Sequence, residues 1–327
     1  MKTPSFWYQK TNSVLSTVLD PLSLIYQALS NRHKARSTPR KSSIPVLCIG
    51  NIVAGGSGKT PVAIALFQLI QTHQLFLSPA FLTRGYLGKI AGPERVDLSH
   101  DPVMWGDEAL LLAKYAPTIV SKDRWAGSEY AKDTGADVII LDDGLQNYSL
   151  QKDLSFCVID GYMGFGNGKI MPAGPLRQNL ENGFSGVDAV ILIGEDLSES
   201  KSCIPAHLPV FTAKLAARNL SDLPVQVPYL GFCGLGTPEK FKKTLLDCGL
   251  NIIRFESFAD HHAYTMDDMT RLIHLALDEN ARLITTEKDF VRLPDFYQKS
   301  MIDTLLVDIQ FDAPEQMVQF MKDRLAQ

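Results

Sequence analysis

Six consecutive residues, Gly55-Gly56-Ser57-Gly58-Lys59-Thr60, have the types and spacing needed to hold a polyphosphate. Glycines let a backbone fold around phosphate oxygens with its N–H groups pointing inward. A lysine at 59 reaches the β- and γ-phosphates, and a hydroxyl at 60 is placed to ligate Mg2+. Val53 and Ala54 complete the nucleotide-binding stretch, with Val53 standing where the strict pattern has glycine. The bland reading is a flexible glycine-rich turn. The flanks favour the phosphate loop, because the apolar strand pattern Ile44–Ile49 precedes it and the helix pattern Pro61–Gln71 follows it.

A second constellation is Val138-Ile139-Ile140-Leu141-Asp142-Asp143-Gly144. Acids at the end of an apolar strand lie where an open α/β sheet places its ligands, so Asp142 or Asp143 can hold Mg2+ directly or through water. The alternative is a pair of acids that only starts the turn at Gly144. The base-reading N-K-x-D motif of GTP enzymes is absent, since Thr286-Glu287-Lys288-Asp289 has the wrong order, and Ala54 stands where a deviant dimeric ATPase loop carries lysine. ATP and transfer to a small acceptor follow by elimination. Such transfer needs a group that orients or deprotonates the acceptor hydroxyl. Asp107, in Gly106-Asp107-Glu108, either does this or caps the helix that begins there. His261, in Asp260-His261-His262, is either a solvated turn residue or the imidazole of a carboxylate–histidine pair. Arg84, Arg124 and Arg177 stand in turns, where each is either a surface charge or a contact to a phosphorylated substrate.

The elements that must position these groups alternate. Strand patterns at Ala80–Thr83, Thr118–Ser121, Val138–Asp142, Phe156–Asp160 and Ala189–Gly194 interleave with helical patterns at 107–114 and 123–133, which predicts a parallel sheet covered by helices. After a proline-rich stretch near 205–225, a second α/β series follows. It has strands at Val227–Cys233, Asn251–Phe255, Arg282–Thr286 and Thr304–Ile309, and helices at Pro238–Asp247, Met266–Leu277 and Pro314–Leu325. The expected fold class is therefore α/β. A P-loop NTPase-type parallel sheet occupies 41–220, a smaller α/β lobe 221–327, and an N-terminal amphipathic helix 1–40.

The chain of 327 residues is 45% hydrophobic with a net charge of −4, which excludes a generally basic nucleic-acid binder. Its five cysteines are scattered without a C-x-x-C pair, so reduced thiols are expected rather than a zinc site or a disulfide framework. Residues 1–44 carry Lys2, Lys10, Arg32, Lys34, Arg36, Arg40 and Lys41 against the single acid Asp20. Apolar residues recur there near helical spacing, but no run is long enough to span a bilayer, and no small-residue cleavage site follows a clean apolar core. A basic amphipathic helix suits a membrane interface; the alternative is a helix packed on the protein's own core.

Taken in order, these motifs resemble one family. Gly50-Asn51 leading into Gly55–Pro61, Thr83-Arg84-Gly85-Tyr86, Gly106-Asp107-Glu108, Asp142–Gln146, Pro172–Arg177, Phe258–His261 and Thr286–Asp289 are similar to the motifs of the tetraacyldisaccharide 4′-kinases of lipid A biosynthesis. The resemblance implies ATP- and Mg2+-dependent phosphorylation of the 4′-hydroxyl of a tetraacylated glucosamine disaccharide 1-phosphate, giving lipid IVA. It also implies attachment to the cytoplasmic face of the bacterial inner membrane through the N-terminal helix. No nucleic acid or obligate protein partner is expected. The family's catalytic Asp and His fall on Asp107 and His261. Glu108, Asp142 and Asp143, with Thr60, fall on positions near the metal, and Arg84, Tyr86, Arg124, Gln146, Asn147 and Arg177 on the substrate side. Asn147 and Gln178 stand where the family often has His and Glu. Each keeps hydrogen-bonding capacity without the charge, so Asn147 is expected as a contact and not as a proton carrier. Two rival functions remain on the residues alone: a kinase for a soluble metabolite, and a nucleotide-switched binding module.

Overall fold

Runs rich in Val, Ile and Leu become strands because branched side chains pack well on a pleated surface buried on both faces. The structure, a computed structural model, describes residues 4–9, 13–99 and 102–325. Lys2 and Lys10 lie outside the described residues. The chain forms two compact units, a larger one of Pro4–Leu215 with Ile309–Gln327 and a smaller one of Ala216–Asp308.

In chain order the elements are α1 (Val14–Arg36), β1 (Val46–Gly50), α2 (Lys59–Thr72), β2 (Pro79–Thr83), β3 (Glu94–Arg95), α3 (Pro102–Trp105), α4 (Asp107–Ala113) and β4 (Thr118–Val120). There follow α5 (Arg124–Asp133), β5 (Val138–Asp142), β6 (Leu154–Asp160), α6 (Leu180–Phe184), β7 (Ala189–Ile193) and β8 (Val210–Ala217). The smaller unit brings β9 (Pro228–Cys233), α7 (Pro238–Asp247), β10 (Asn251–Ser257), α8 (Met266–Asp278), β11 (Arg282–Thr286), α9 (Glu287–Phe290) and β12 (Asp303–Leu305). The chain ends with β13 (Val307–Phe311) and α10 (Pro314–Leu325).

The large sheet has the order β13-β8-β7-β6-β1-β5-β2-β4-β3. The pairs β6–β7, β7–β8, β1–β6, β1–β5, β2–β5 and β2–β4 are parallel, and β3 runs antiparallel to β4 at the edge. β1 is central, so alternate residues face two cores. Leu47 and Ile49 join α2 and α10 on one side, whereas Val46 and Cys48 face the other with Leu141, Cys157 and Val190. Both faces being covered explains why the strands read as continuous apolar runs. In the smaller unit, β10-β9-β11-β12 form an all-parallel sheet.

Two segments differ from the sequence expectation. The proline-rich stretch contains a full strand, β8, paired with β7. The single strand expected over Thr304–Ile309 is two, β12 in the small sheet and β13 in the large one. Leu306 separates them, its N–H donating to Asn219 Oδ1 at 2.9 Å. The chain therefore returns to the larger unit at Ile309, where the sequence reading continued the smaller lobe to 327. An amphipathic pattern over Pro314–Leu325 says that one face is buried but not which sheet buries it. Met317, Val318 and Met321 lie in the larger core.

α1 is inverted relative to an ordinary surface helix. Its buried residues are Ser16 and Ser23, while Val14, Leu15, Val18, Leu22, Leu24, Ile25 and Leu29 are exposed, Val14 by 81%. The serines dock it on the Asn167–Ala173 segment. Ser16 Oγ donates to Ala173 O at 2.8 Å, Ser23 Oγ donates to Ile170 O at 2.7 Å, and Lys169 Nζ pairs with Asp20 Oδ2 at 2.8 Å. No helix among the described residues is long and apolar enough to cross a membrane.

Candidate active site

The loop between β1 and α2 is shaped by glycines where the chain needs them. Gly55 has φ 113° and Gly58 φ 84°, and a Cβ on Gly58 would lie 2.7 Å from Ile193 Cδ1. Nothing within 4 Å meets a Cβ built on Gly55 or Gly56, so the outer side of the loop is open. Gly58 caps α2 without a side-chain hydrogen bond, and the first turn of α2 carries no acid. Its N–H groups and dipole therefore face outward as an anion site. The loop is braced from behind, with Ala54 N donating to Pro175 O at 2.7 Å and Arg177 N donating to Ile52 O at 2.9 Å. The 167–177 segment thus touches α1 at one end and the phosphate loop at the other.

β1 and β5 are neighbours with Ile49 opposite Asp142, which brings the acids of β5 beneath the loop. Thr60 Oγ1 donates to Asp142 Oδ2 at 2.9 Å. Asp142 is 1% exposed, and its Oδ1 has no hydrogen-bond partner among the described residues. Burial pushes its carboxyl up to about 7, with the Glu108 and Asp143 carboxylates adding to the shift and Lys59 and Thr60 opposing it. A buried acid crowded by acids, one oxygen unpartnered and a hydroxyl on the other, fits a hard divalent cation. Among the described residues no three acidic, thiol or imidazole side chains converge as a ready-made cage. Mg2+ at phosphoryl-transfer sites requires only one or two carboxylates beside the phosphates.

Asp143 sits at φ 52° and faces cations. Arg177 Nη1 donates to its Oδ1 at 3.0 Å and Oδ2 at 3.2 Å, and Lys59 Nζ lies 3.7 Å from Oδ1. Burial raises its carboxyl, but Lys59 and Arg177 together outweigh this and hold it below the usual range. Gln146 joins the ring, donating from Nε2 to Asn51 O at 2.8 Å and accepting from Arg177 at 2.8 Å. Arg124 is buried and its Nε lacks a partner among the described residues. Burial and the neighbouring Arg84 guanidinium lower it to about 10, which leaves it charged at neutral pH.

Asp107 is buried in the first turn of α4, its Oδ1 accepting from Glu108 N at 3.0 Å. Tyr86 is exposed, and its carbonyl oxygen would lie 2.3 Å from a Cβ on Gly106, so that glycine permits the close approach of the 83–88 turn. Asn147 turns inward: its Oδ1 accepts from Ser149 Oγ and Leu150 N, both at 3.2 Å. Gln178 accepts from the Tyr148 hydroxyl at 3.0 Å. His261 belongs to the smaller unit, at φ 55° in the turn after Phe258.

Asn51, immediately after β1, is a further residue of this site. Asn51, fully buried, donates from Nδ2 to Ser57 Oγ at 2.7 Å and accepts from Lys59 Nζ at 3.3 Å. Its signal was an amide at the end of an apolar strand just before the loop, where a buried polar group must be hydrogen-bonded.

The tetraacyldisaccharide-1-P 4′-kinase model, LpxK, matches residues 15–326. This chain belongs to that family. A tetraacyldisaccharide 4′-kinase of Rhodospirillum rubrum is 41% identical over 319 residues, covering 96% of this chain and 95% of the relative. One of Paramagnetospirillum magneticum is 44% identical over 317 residues, 96% of each chain. The crystal structure of an "apo" form of LpxK from Aquifex aeolicus in complex with ATP matches with a TM-score of 0.76 at 25% identity, covering 95% of this chain and 100% of that one. The 4′-kinase family thus accounts for both sheets and for the phosphate loop in one assignment.

Proposed function

We propose that this 4′-kinase family member transfers the γ-phosphate of ATP to the 4′-hydroxyl of tetraacyldisaccharide 1-phosphate in lipid A biosynthesis. The observation that carries the reading is the contact of Thr60 with the unsatisfied, buried Asp142 beside the uncapped N-terminus of α2. In this reading the amides of residues 55–60 and Lys59 bind the triphosphate. Thr60 and Asp142 would hold Mg2+, with Glu108 and Asp143 nearby; the ion, when bound, would neutralise charge on the transferring group. Arg124 and Arg84 attract anionic substrate groups. Arg177, itself held by Gln146, holds Asp143 beside Lys59 and so helps set the position of Lys59. Tyr86 supplies an exposed ring for the acceptor, whereas Asn147 stabilises its own turn.

Asp107 takes the proton from the acceptor oxygen, and His261, in the smaller unit, takes part in the reaction as a second titratable group. Electrostatic positioning supplies most of the acceleration in phosphoryl transfer, with the base adding to it. The exposed apolar face of α1 lies on the membrane surface at the cytoplasmic side of the inner membrane, with the basic last turn of His33, Lys34 and Arg36 toward anionic headgroups. The test uses purified protein, ATP, Mg2+ and the lipid disaccharide. Asp107→Ala is expected to lose turnover by ~10²-fold or more while still binding nucleotide. Near-normal turnover in that variant would remove Asp107 from the mechanism, and no transfer by the wild type would remove the kinase reading.

A further inference from the structure

The motif Thr286-Glu287-Lys288-Asp289 has no part in nucleotide binding as described above, yet it contains a carboxylate that accepts four hydrogen bonds. Asp289 is fully buried. Its Oδ1 accepts from Gly234 N at 2.8 Å, the Tyr264 hydroxyl at 2.8 Å and Arg292 Nη2 at 2.9 Å. Its Oδ2 accepts from Thr286 Oγ1 at 2.6 Å, and its own N–H donates back to that hydroxyl at 3.0 Å. Arg292 extends the clasp to the carbonyls of Gly234 at 3.3 Å and His262 at 3.4 Å. One buried ion pair therefore ties together the end of β9, the turn before α8, and α9.

That turn carries His261. Its backbone is in the left-handed region, where a histidine needs support from its surroundings. His261 N donates to Gly234 O at 3.2 Å, and a Cβ on Gly234 would press on Ala259 O at 2.9 Å. Its Nε2 lies 3.5 Å from Lys288 Nζ and 3.9 Å from Asp260 Oδ1, so a cation and an anion flank the same ring nitrogen. The adjacent histidine is held differently. His262 Nε2 contacts Asp268 Oδ2 at 3.0 Å, and its ring stacks on Phe258 at 4.8 Å. The fold thus gives two neighbouring imidazoles separate tasks, one anchoring the turn and one lying beside both Lys288 and Asp260.

We propose that Asp289 is a positioning residue for phosphoryl transfer: through Gly234, Tyr264 and Arg292 it holds the turn in which His261 meets Lys288. The proposal rests on the reading above that His261 takes part in the reaction. Asp289→Asn leaves the contacts of the phosphate loop in place, so the effect belongs in kcat and not in the KM for ATP.

The experiment is a double-mutant cycle on the full chain with ATP, Mg2+ and the lipid disaccharide. It is paired with NMR of 15N-histidine-labelled protein, in which His261 and His262 are assigned by substitution. Asp289→Asn keeps the side chain's shape and removes its charge. It is expected to lower kcat about tenfold or more at unchanged KM for ATP, and to cause no further loss in a His261→Ala background. The His261 imidazole resonance should move. An equal loss in the His261→Ala background, or a folded Asp289→Asn protein with unchanged kcat and an unmoved His261 signal, overturns the proposal. Should Asp289→Asn fail to fold, Tyr264→Phe decides, because it removes one donor and leaves the ion pair: a lower kcat with a shifted His261 signal supports the proposal, and no change in either refutes it. If His261→Ala alone keeps full turnover, the role of His261 in catalysis fails. Asp289 is then judged on the imidazole signal alone, which must shift in Asp289→Asn.

Discussion

Asp142 should make the metal-free protein less stable than a variant without its charge. The carboxyl has an ordinary value of 3.8 and is pushed up to about 7 by burial and by the carboxylates of Glu108 and Asp143. A raised value in the folded state means that the native protein holds an extra proton between these two pH values. The associated stability is full below pH 3.8 and is lost as pH rises through 7. Each pH unit corresponds to about 1.4 kcal/mol, so the loss at pH 8 is on the order of 4 kcal/mol. Asp142→Asn removes the titrating charge, and its amide oxygen can still accept from Thr60. The variant should therefore melt with the wild type near pH 4 and above it at pH 8. For a unit of this size the gap is about 10 °C. Calorimetry in EDTA from pH 4 to 8, following the transition of the larger unit, provides the measurement. Adding ATP with Mg2+ should stabilise the wild type more than the variant, which keeps the phosphate loop but loses a carboxylate for the metal, since stabilisation by mass action follows affinity. Coincident transitions at pH 8 would refute the reasoning, because Asp142 would then ionise without penalty and have no need of a cation.

Two further outcomes follow from the site and from α1. Asn51→Ala leaves the Ser57 hydroxyl and the Lys59 ammonium without the amide that orients them, so the KM for ATP should rise about tenfold with kcat little changed, measured by steady-state kinetics. Val18→Ser combined with Ile25→Ser removes exposed apolar surface from α1; co-sedimentation with anionic lipid vesicles should weaken about a hundredfold at unchanged thermal stability. An equal loss of stability would mean that the α1 face packs on protein.

The phosphate loop, the acid-ended strand and the alternation of strands and helices were legible in the sequence because each is local. Gly55, Gly58, Lys59 and Thr60 act through one turn and one helix end, and Asp142 ends a strand whose apolar run is unmistakable. The helical pattern of α1, basic residues beside leucines, was visible, although its two serines gave no hint that they, and not the leucines, form the docked face.

Other features depend on which distant segments meet. Nothing local says that the stretch after Leu305 leaves one sheet for another, or that α10 packs on the larger core, since an amphipathic face specifies burial and not a partner. The shift of Asp142 arises first from burial beneath the loop and then from Glu108, thirty-four positions away in sequence, and the restraint on Lys59 from Asn51 and Asp143 together. Likewise, Asp289 gains its role only when β9, the His261 turn and α9 converge on one buried carboxylate. Sequence determines which groups are capable of the chemistry, because capability resides in side-chain type and in backbone conformation over a few residues. Tertiary structure decides their protonation and orientation, because electrostatic and hydrogen-bond energies depend on distance in space and not along the chain.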